Sequence, residues 1–141
     1  MEVGHVRNRL RNAIEAARHR AQARRQRTAE AEAGFSAFLA LATPVLRQLT
    51  GALRAEGQAF TLFTPERALR LASDRSRVDF IELTLDTSGD MATVVGRISC
   101  ARGSRTRDEE RPLKPGVPLA ALSEEDVLAF CLDALEPWLE K

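Results

Sequence analysis

From Val3 to Leu53, apolar and small residues return every three or four positions, the spacing that gathers them on one face of an α-helix. Two columns run side by side. Arg7, Ile14, Ala21, Thr28, Phe35, Ala42 and Leu49 form one, and Val3, Leu10, Ala17, Arg24, Ala31, Phe38, Val45 and Ala52 the other. The heptad-like pattern predicts one long helix, about 80 Å end to end if unbroken at 1.5 Å per residue. The stripe is not uniform. Before Ala33 it offers mostly alanine, Arg24 and Thr28, with little area to bury, whereas Phe35, Phe38, Leu39, Val45, Leu46, Leu49 and Leu53 make it dense farther on. This difference divides the chain into a basic helical arm over residues 1–33 and an α+β core domain over 34–141. A rod of that length cannot cover its own stripe with a body this small, so part of the stripe should meet another copy, another protein or a ligand.

The arm is rich in Ala, Arg, Gln and Glu, all strong helix formers, and contains no proline. At Thr43-Pro44 two readings compete. Thr43 could cap a second helix with Pro44 as its first residue, or the proline could lie inside one helix, continuous or kinked. The seam keeps register through Gly34 and Pro44, which favours a single helix. Glu56 and Gly57 end it, with glycine suited to a left-handed C-terminal residue.

Beyond Ala59 the period shortens to two, so the sheet is expected over residues 59–111. Phe60 to Phe63 reads as a short strand. Thr64-Pro65-Glu66-Arg67 suits a type I turn with proline second, or alternatively a helix cap ahead of Ala68 to Ala72. Leu69 and Leu71 alternate with Arg70 and tilt that stretch toward strand. Val78 to Thr87 and Ala92 to Ala101 form an antiparallel hairpin about Ser88-Gly89-Asp90. Apolar positions shift there from Val78 and Phe80 to Ile81, Leu83 and Leu85, which predicts a bulge near Phe80. Gly96 in mid-strand marks a place where a neighbour approaches closely. Arg105 to Arg111 follows the Gly103-Ser104 turn as a charged edge strand or arm, and Pro112, Pro115 and Pro118 carry the chain across the surface. Ser123 caps a helix over 124–140, with Glu124, Glu125 and Asp126 in its first turn and Leu122 and Val127 placed for a hydrophobic staple. Val127, Leu128, Cys131, Leu132, Leu135, Trp138 and Leu139 form its apolar face. The elements add up to an α+β fold: a long N-terminal helix, an antiparallel meander of four or five strands, and a C-terminal helix packed on the sheet.

Charge changes the picture more than composition does. The 141 residues carry 21 basic and 20 acidic side chains. Residues 1–28 hold eight arginines against Glu2 and Glu15, a surplus of six positive charges, and the remainder holds 13 basic against 18 acidic groups, a deficit of five. Arg11, Arg18 and Arg25 run along one flank of the seam, Arg20 and Arg27 along the other, with Arg24 in the seam. Two parallel copies in register would set like charges face to face. An antiparallel arrangement, an acidic protein surface such as Glu124, Glu125 and Asp126, or phosphates would relieve that repulsion. No apolar run is long enough to span a membrane and no secretory signal is evident, so a cytoplasmic location is expected.

Motifs for catalysis are sparse. His5 and His19 lie fourteen apart on the basic helix without a cysteine or acidic cluster beside them, and no metal site is expected. Cys100 and Cys131 sit inside apolar patterns and suit small buried thiols, with a bridge between them as the other option. Asp86-Thr87-Ser88-Gly89 is similar to the Asp-Thr-Gly loop of aspartic proteases, but the inserted serine and the single copy favour a hairpin turn. No phosphate-cradling glycine loop is present, and no cofactor is expected. Arg97, Arg102, Arg105, Arg107 and Arg111 sit beside Asp108, Glu109 and Glu110 and suit local ion pairing. The function expected is that of a non-enzymatic, self-associating interaction protein, a dimer by preference, whose arm contacts an acidic protein surface through Arg11, Arg18, Arg20, Arg24, Arg25 and Arg27. Phe35, Phe38, Val45 and Leu49 pack either in the subunit interface or against the sheet. Phosphate contact by a nucleic-acid-binding arm is the alternative, and an enzyme with a site between sheet and helix is the third.

Overall fold

The computed structural model describes residues 1–140. It is an α+β fold in which a single helix, α1 (Val3–Ala55), precedes a five-stranded antiparallel sheet and a C-terminal helix, α2 (Glu124–Leu139). The strands β1 (Phe60–Phe63), β2 (Ala68–Ser73), β3 (Phe80–Asp86), β4 (Thr93–Arg102) and β5 (Arg105–Pro112) form a meander in chain order. A 3-10 turn, η1 (Leu119–Ala121), leads into α2.

α1 runs through Pro44 without a break. Thr43 does not cap a second helix: its hydroxyl donates back to the Leu39 carbonyl at 2.6 Å, as Thr50 does to Leu46 at 2.7 Å. The end at Gly57 follows from its left-handed backbone, φ +81°. Gln58 N–H reaches the Leu53 carbonyl at 2.8 Å and Gly57 N–H the Arg54 carbonyl at 3.1 Å, the two reversed bonds of a Schellman stop.

The buried face of α1 departs from the heptad columns. Ala31, Phe35, Phe38, Ala42, Leu46, Leu49 and Leu53 are buried, so the stripe steps by eleven residues from Ala31 to Ala42 to Leu53. An eleven-residue repeat is about 3.67 residues per turn, close to a straight helix, whereas a heptad seam demands left-handed supercoiling. A helix lying on its own sheet has no reason to supercoil. Leu46 and Leu53 therefore take the places given above to Val45 and Ala52: Val45 is only half-buried at the margin of the core and Ala52 is exposed.

The core fills the space between one sheet face and the two helices. Leu69, Leu71, Ile81, Leu83, Val94 and Ile98 project toward the helices and are all buried. Phe60 of β1 meets Trp138 of α2 edge to face, with ring centroids 5.7 Å apart. Phe35 and Phe38 stack at 5.9 Å. Gly96 is the close approach anticipated from its place in mid-strand. A Cβ there would stand 2.2 Å from Cζ of Phe130, so the ring of α2 occupies the space that the glycine leaves open.

Two local expectations are corrected. The β3–β4 register is continuous from Phe80 opposite Ser99 to Asp86 opposite Thr93, with no bulge. The apparent slip arises because Val78 precedes the strand. It lies in a turn closed by Asp79 N–H on the Ser76 carbonyl at 3.3 Å, and the Asp79 carboxylate accepts the Ala101 N–H at 2.7 Å. Phe80 is buried on the solvent face, under the guanidinium groups of Arg70 at 4.1 Å and Arg97 at 5.5 Å. Those arginines belong to a row of alternating charge, since Arg70 faces Glu82, Glu82 faces Arg97, and Arg97 faces Glu110 across four strands. Turn placement also shifts by one residue. Ala68 N–H bonds the Pro65 carbonyl at 3.3 Å, which puts proline first and Arg67 third, at φ +60°. The Arg67 side chain reaches Glu32 of α1 at 3.3 Å, tying this turn to the helix.

α2 starts as its cap predicts. Ser123 Oγ accepts the Asp126 N–H at 3.2 Å and Asp126 accepts the Ser123 N–H at 2.9 Å, a reciprocal capping box, while Lys114 Nζ donates to Asp126 at 2.9 Å. The Ser123 N–H, then Lys114, hold the Asp126 carboxyl below its ordinary 3.8. A carboxyl lowered in the folded state adds stability above its unfolded pKa and loses it as pH falls through the folded one. Ser123→Ala should cost about 1 kcal/mol, read as a lower urea midpoint at neutral pH. Acid titration of the native protein below pH 3.8 should weaken the same cap.

The buried side of α2 is Val127, Phe130, Cys131, Ala134, Leu135 and Trp138. Leu132 and Leu139, placed above on the apolar face, are each 46% exposed. Docking Phe130 over Gly96 rotates the helix so that those two leucines turn outward.

Candidate interaction surface on the N-terminal helix

Every residue from Met1 to Glu30 is exposed except Ala21, which is half-buried. The first fully buried residue of α1 is Ala31. From Val3 to Glu30, 28 residues at 1.5 Å each make a helical arm about 42 Å long in which no residue is fully buried. Its large apolar side chains stand in water: Val3 is 73% exposed, Val6 49%, Leu10 59% and Ile14 41%. Their spacing of three, four and four residues makes one narrow stripe along about three turns.

The arginines take both borders of that stripe. At about 100° per residue, Arg7, Arg11, Arg18 and Arg25 lie on one side, Arg9, Arg20 and Arg27 on the other, and Arg24 continues the stripe toward the body. Among the described residues none of these eight guanidinium groups forms an ion pair. The far side is polar and uncharged for long stretches, with Asn8, Asn12, His19, Gln22 and Gln26. The arm thus presents an apolar ridge between two positive rails, able to enter an apolar groove with acidic edges.

The residues named from sequence separate into two places. Arg11, Arg18, Arg20, Arg24, Arg25 and Arg27 lie together on the free arm, with Arg24 and Arg27 facing the β3–β4 loop across a cleft that Asp90 also lines. Phe35, Phe38 and Leu49 belong to the core of the single chain, with Val45 at its edge. A second exposed stripe was not anticipated. On the outer side of α2, Leu132 and Leu139 stand exposed, Leu128 is half-buried, and the exposed carboxylates Glu124, Glu125 and Glu136 flank them. The leucines at four- and seven-residue steps were legible, but merged with the buried side into one wide apolar face.

A charged cleft of about 270 Å³ opens between α2 and the β4–β5 edge, with Cys100 in its floor and Arg102, Arg107, Glu109, Arg111, Asp133 and Glu136 on its walls. Its charges face one another. Arg111 pairs with Asp133 and lies 3.6 Å from Glu109, and Arg107 lies 3.8 Å from the same glutamate. Arg111 also covers the Phe130 ring at 5.1 Å. Both cysteines are free and buried. Burial pushes the Cys131 thiol up to about 12, which keeps it protonated and unreactive. Four carboxyls are held low by hydrogen bonds: Asp74 chiefly by Thr61, Asp86 by Ser88, Asp108 by Arg97, and Asp126 by the Ser123 N–H. A general base for neutral pH requires the opposite displacement. The Ser88 N–H and hydroxyl bond Asp86 at 2.9 and 2.6 Å, a side-chain turn over Asp86 to Ser88 that opens a six-residue loop, 87–92, in place of the tight hairpin turn expected from the sequence.

Among the described residues no group of three or more His, Cys, Asp or Glu side chains is placed to hold a metal, and no helix is long and apolar enough to cross a membrane. No family model, curated protein or solved structure matches this chain.

Proposed function

We propose that the chain is a non-enzymatic, self-associating interaction protein whose basic N-terminal helix seats on an acidic protein surface. The observation that carries this reading is the exposed ridge of Val3, Val6, Leu10 and Ile14 with arginines on both borders that form no ion pair among the described residues. Burying such a side chain fully stabilises a contact by about 1.5–3 kcal/mol, so the ridge supplies affinity while the arginines supply orientation and association rate. A phosphate backbone would satisfy the arginines and leave the ridge in water, which places nucleic acid second. A two-fold dimer is the simplest closed assembly for an arm of this kind.

Light scattering across a concentration series tests the reading. The expected mass at micromolar concentration is twice the 15.6 kDa of the chain, falling to the monomer in Leu10→Asp. A wild-type monomer throughout would refute self-association. Salt-sensitive binding of duplex DNA or RNA by that monomer, lost on changing Arg18, Arg20, Arg24 and Arg25 to Gln, would assign the arm to phosphates instead.

A further inference from the structure

The body itself carries a surface of the kind the arm requires. The outer stripe of α2 runs from Leu128 through Leu132 to Leu139, eleven residues, and the ridge of the arm from Val3 to Ile14 also spans eleven, about 16 Å in each case. We propose that the arm of one copy lies antiparallel along α2 of a second copy, with Ile14 against Leu128, Leu10 against Leu132 and Val3 against Leu139. This rests on the arm being the interaction surface and goes further by naming what it docks on.

One antiparallel register satisfies all three pairs at once, and the same register brings Arg18 beside Glu125 on one border of the contact. Charge complementarity supports the choice of occupant: an arm whose first 28 residues carry eight arginines and two glutamates meets a helix flanked by Glu124, Glu125 and Glu136. An arm pairing with another arm would instead bring together two strongly positive helices. The contact has to form between copies. Ile14 lies seventeen residues before the first buried position of α1, roughly 25 Å along a continuous helix that points its N-terminal end away from its own core. Two reciprocal contacts, each arm on the α2 of its partner, close under a two-fold axis and leave neither stripe uncovered.

Sedimentation equilibrium on the full chain tests this with variants on both sides. Leu132 is exposed, so Leu132→Asp should leave the circular dichroism spectrum unchanged and raise the dimer dissociation constant at least tenfold. Leu10→Asp should do the same. A mixture of the two should recover association, because one arm and one α2 surface remain intact between unlike copies. Arg18→Glu and Glu125→Arg should each weaken the dimer and restore it when combined. A dimer lost in Leu10→Asp but kept in Leu132→Asp, with no recovery from charge exchange, would overturn this docking and leave the arm as an interaction surface for another site. A wild-type monomer would overturn the docking and the self-association reading together, whereas a dimer indifferent to both aspartates would overturn the docking and leave self-association to another surface.

Discussion

Gly96→Ala should destabilise the protein by about 3 kcal/mol, the upper range for forcing volume into a packed core. Alanine ordinarily gains in such a position, since glycine in a strand interior costs roughly 0.5–1 kcal/mol relative to it. Here the added methyl would stand 2.2 Å from Cζ and 2.5 Å from Cε1 of Phe130. That ring cannot swing aside freely, because Phe130 is itself buried and Arg111 lies over it. The steric term therefore exceeds the entropic gain and sets the sign. Urea denaturation should show a lower midpoint with an unchanged slope. Phe130→Leu should recover part of the loss in the double variant, and a coupling energy near zero between the two sites would remove this account.

The same glycine shows how far the sequence was legible. A glycine between Val95 and Arg97 in an otherwise clear strand announces a close approach, yet nothing in the chain says which residue approaches. Phe130 is named only once α2 is docked, and that docking decides which leucines of α2 face water. Reading α2 as one broad apolar face joined two stripes with different roles, a buried one ending in Trp138 and an exposed one through Leu132 and Leu139. Phe80 misled for a related reason. Alternation arguments assume that an apolar residue points to the core, whereas Phe80 is covered on the opposite face by two arginine side chains from neighbouring strands. Long side chains that lie flat over a ring leave no trace in a hydrophobic period. Caps and turn ends fared better, since Ser123 and Gly57 act through bonds to residues a few positions away. The sign and position of the arm's charge were likewise local properties and legible, while its freedom from the body depended on where the long helix first meets the sheet.

Leu46→Ala should cost about 3 kcal/mol, and Leu10→Ala less than about 0.5 kcal/mol in the monomer, although both leucines lie on one helix. Leu46 is among the most completely buried side chains of the core, so truncation leaves a cavity that the sheet and α2 can only partly close. Leu10 already stands in water, and its removal takes nothing from the folded chain. A true heptad seam would predict a different pattern, with Val45→Ala more damaging than Leu46→Ala and the arm cooperating with the body along one stripe. The eleven-residue stepping of the buried positions predicts the reverse order. The stabilities should be measured below the dissociation constant of any dimer, because association would add a concentration-dependent contribution to Leu10 alone. Equal losses at both positions in that regime would mean that the arm is covered within its own chain, and the ridge would then no longer be available to a partner.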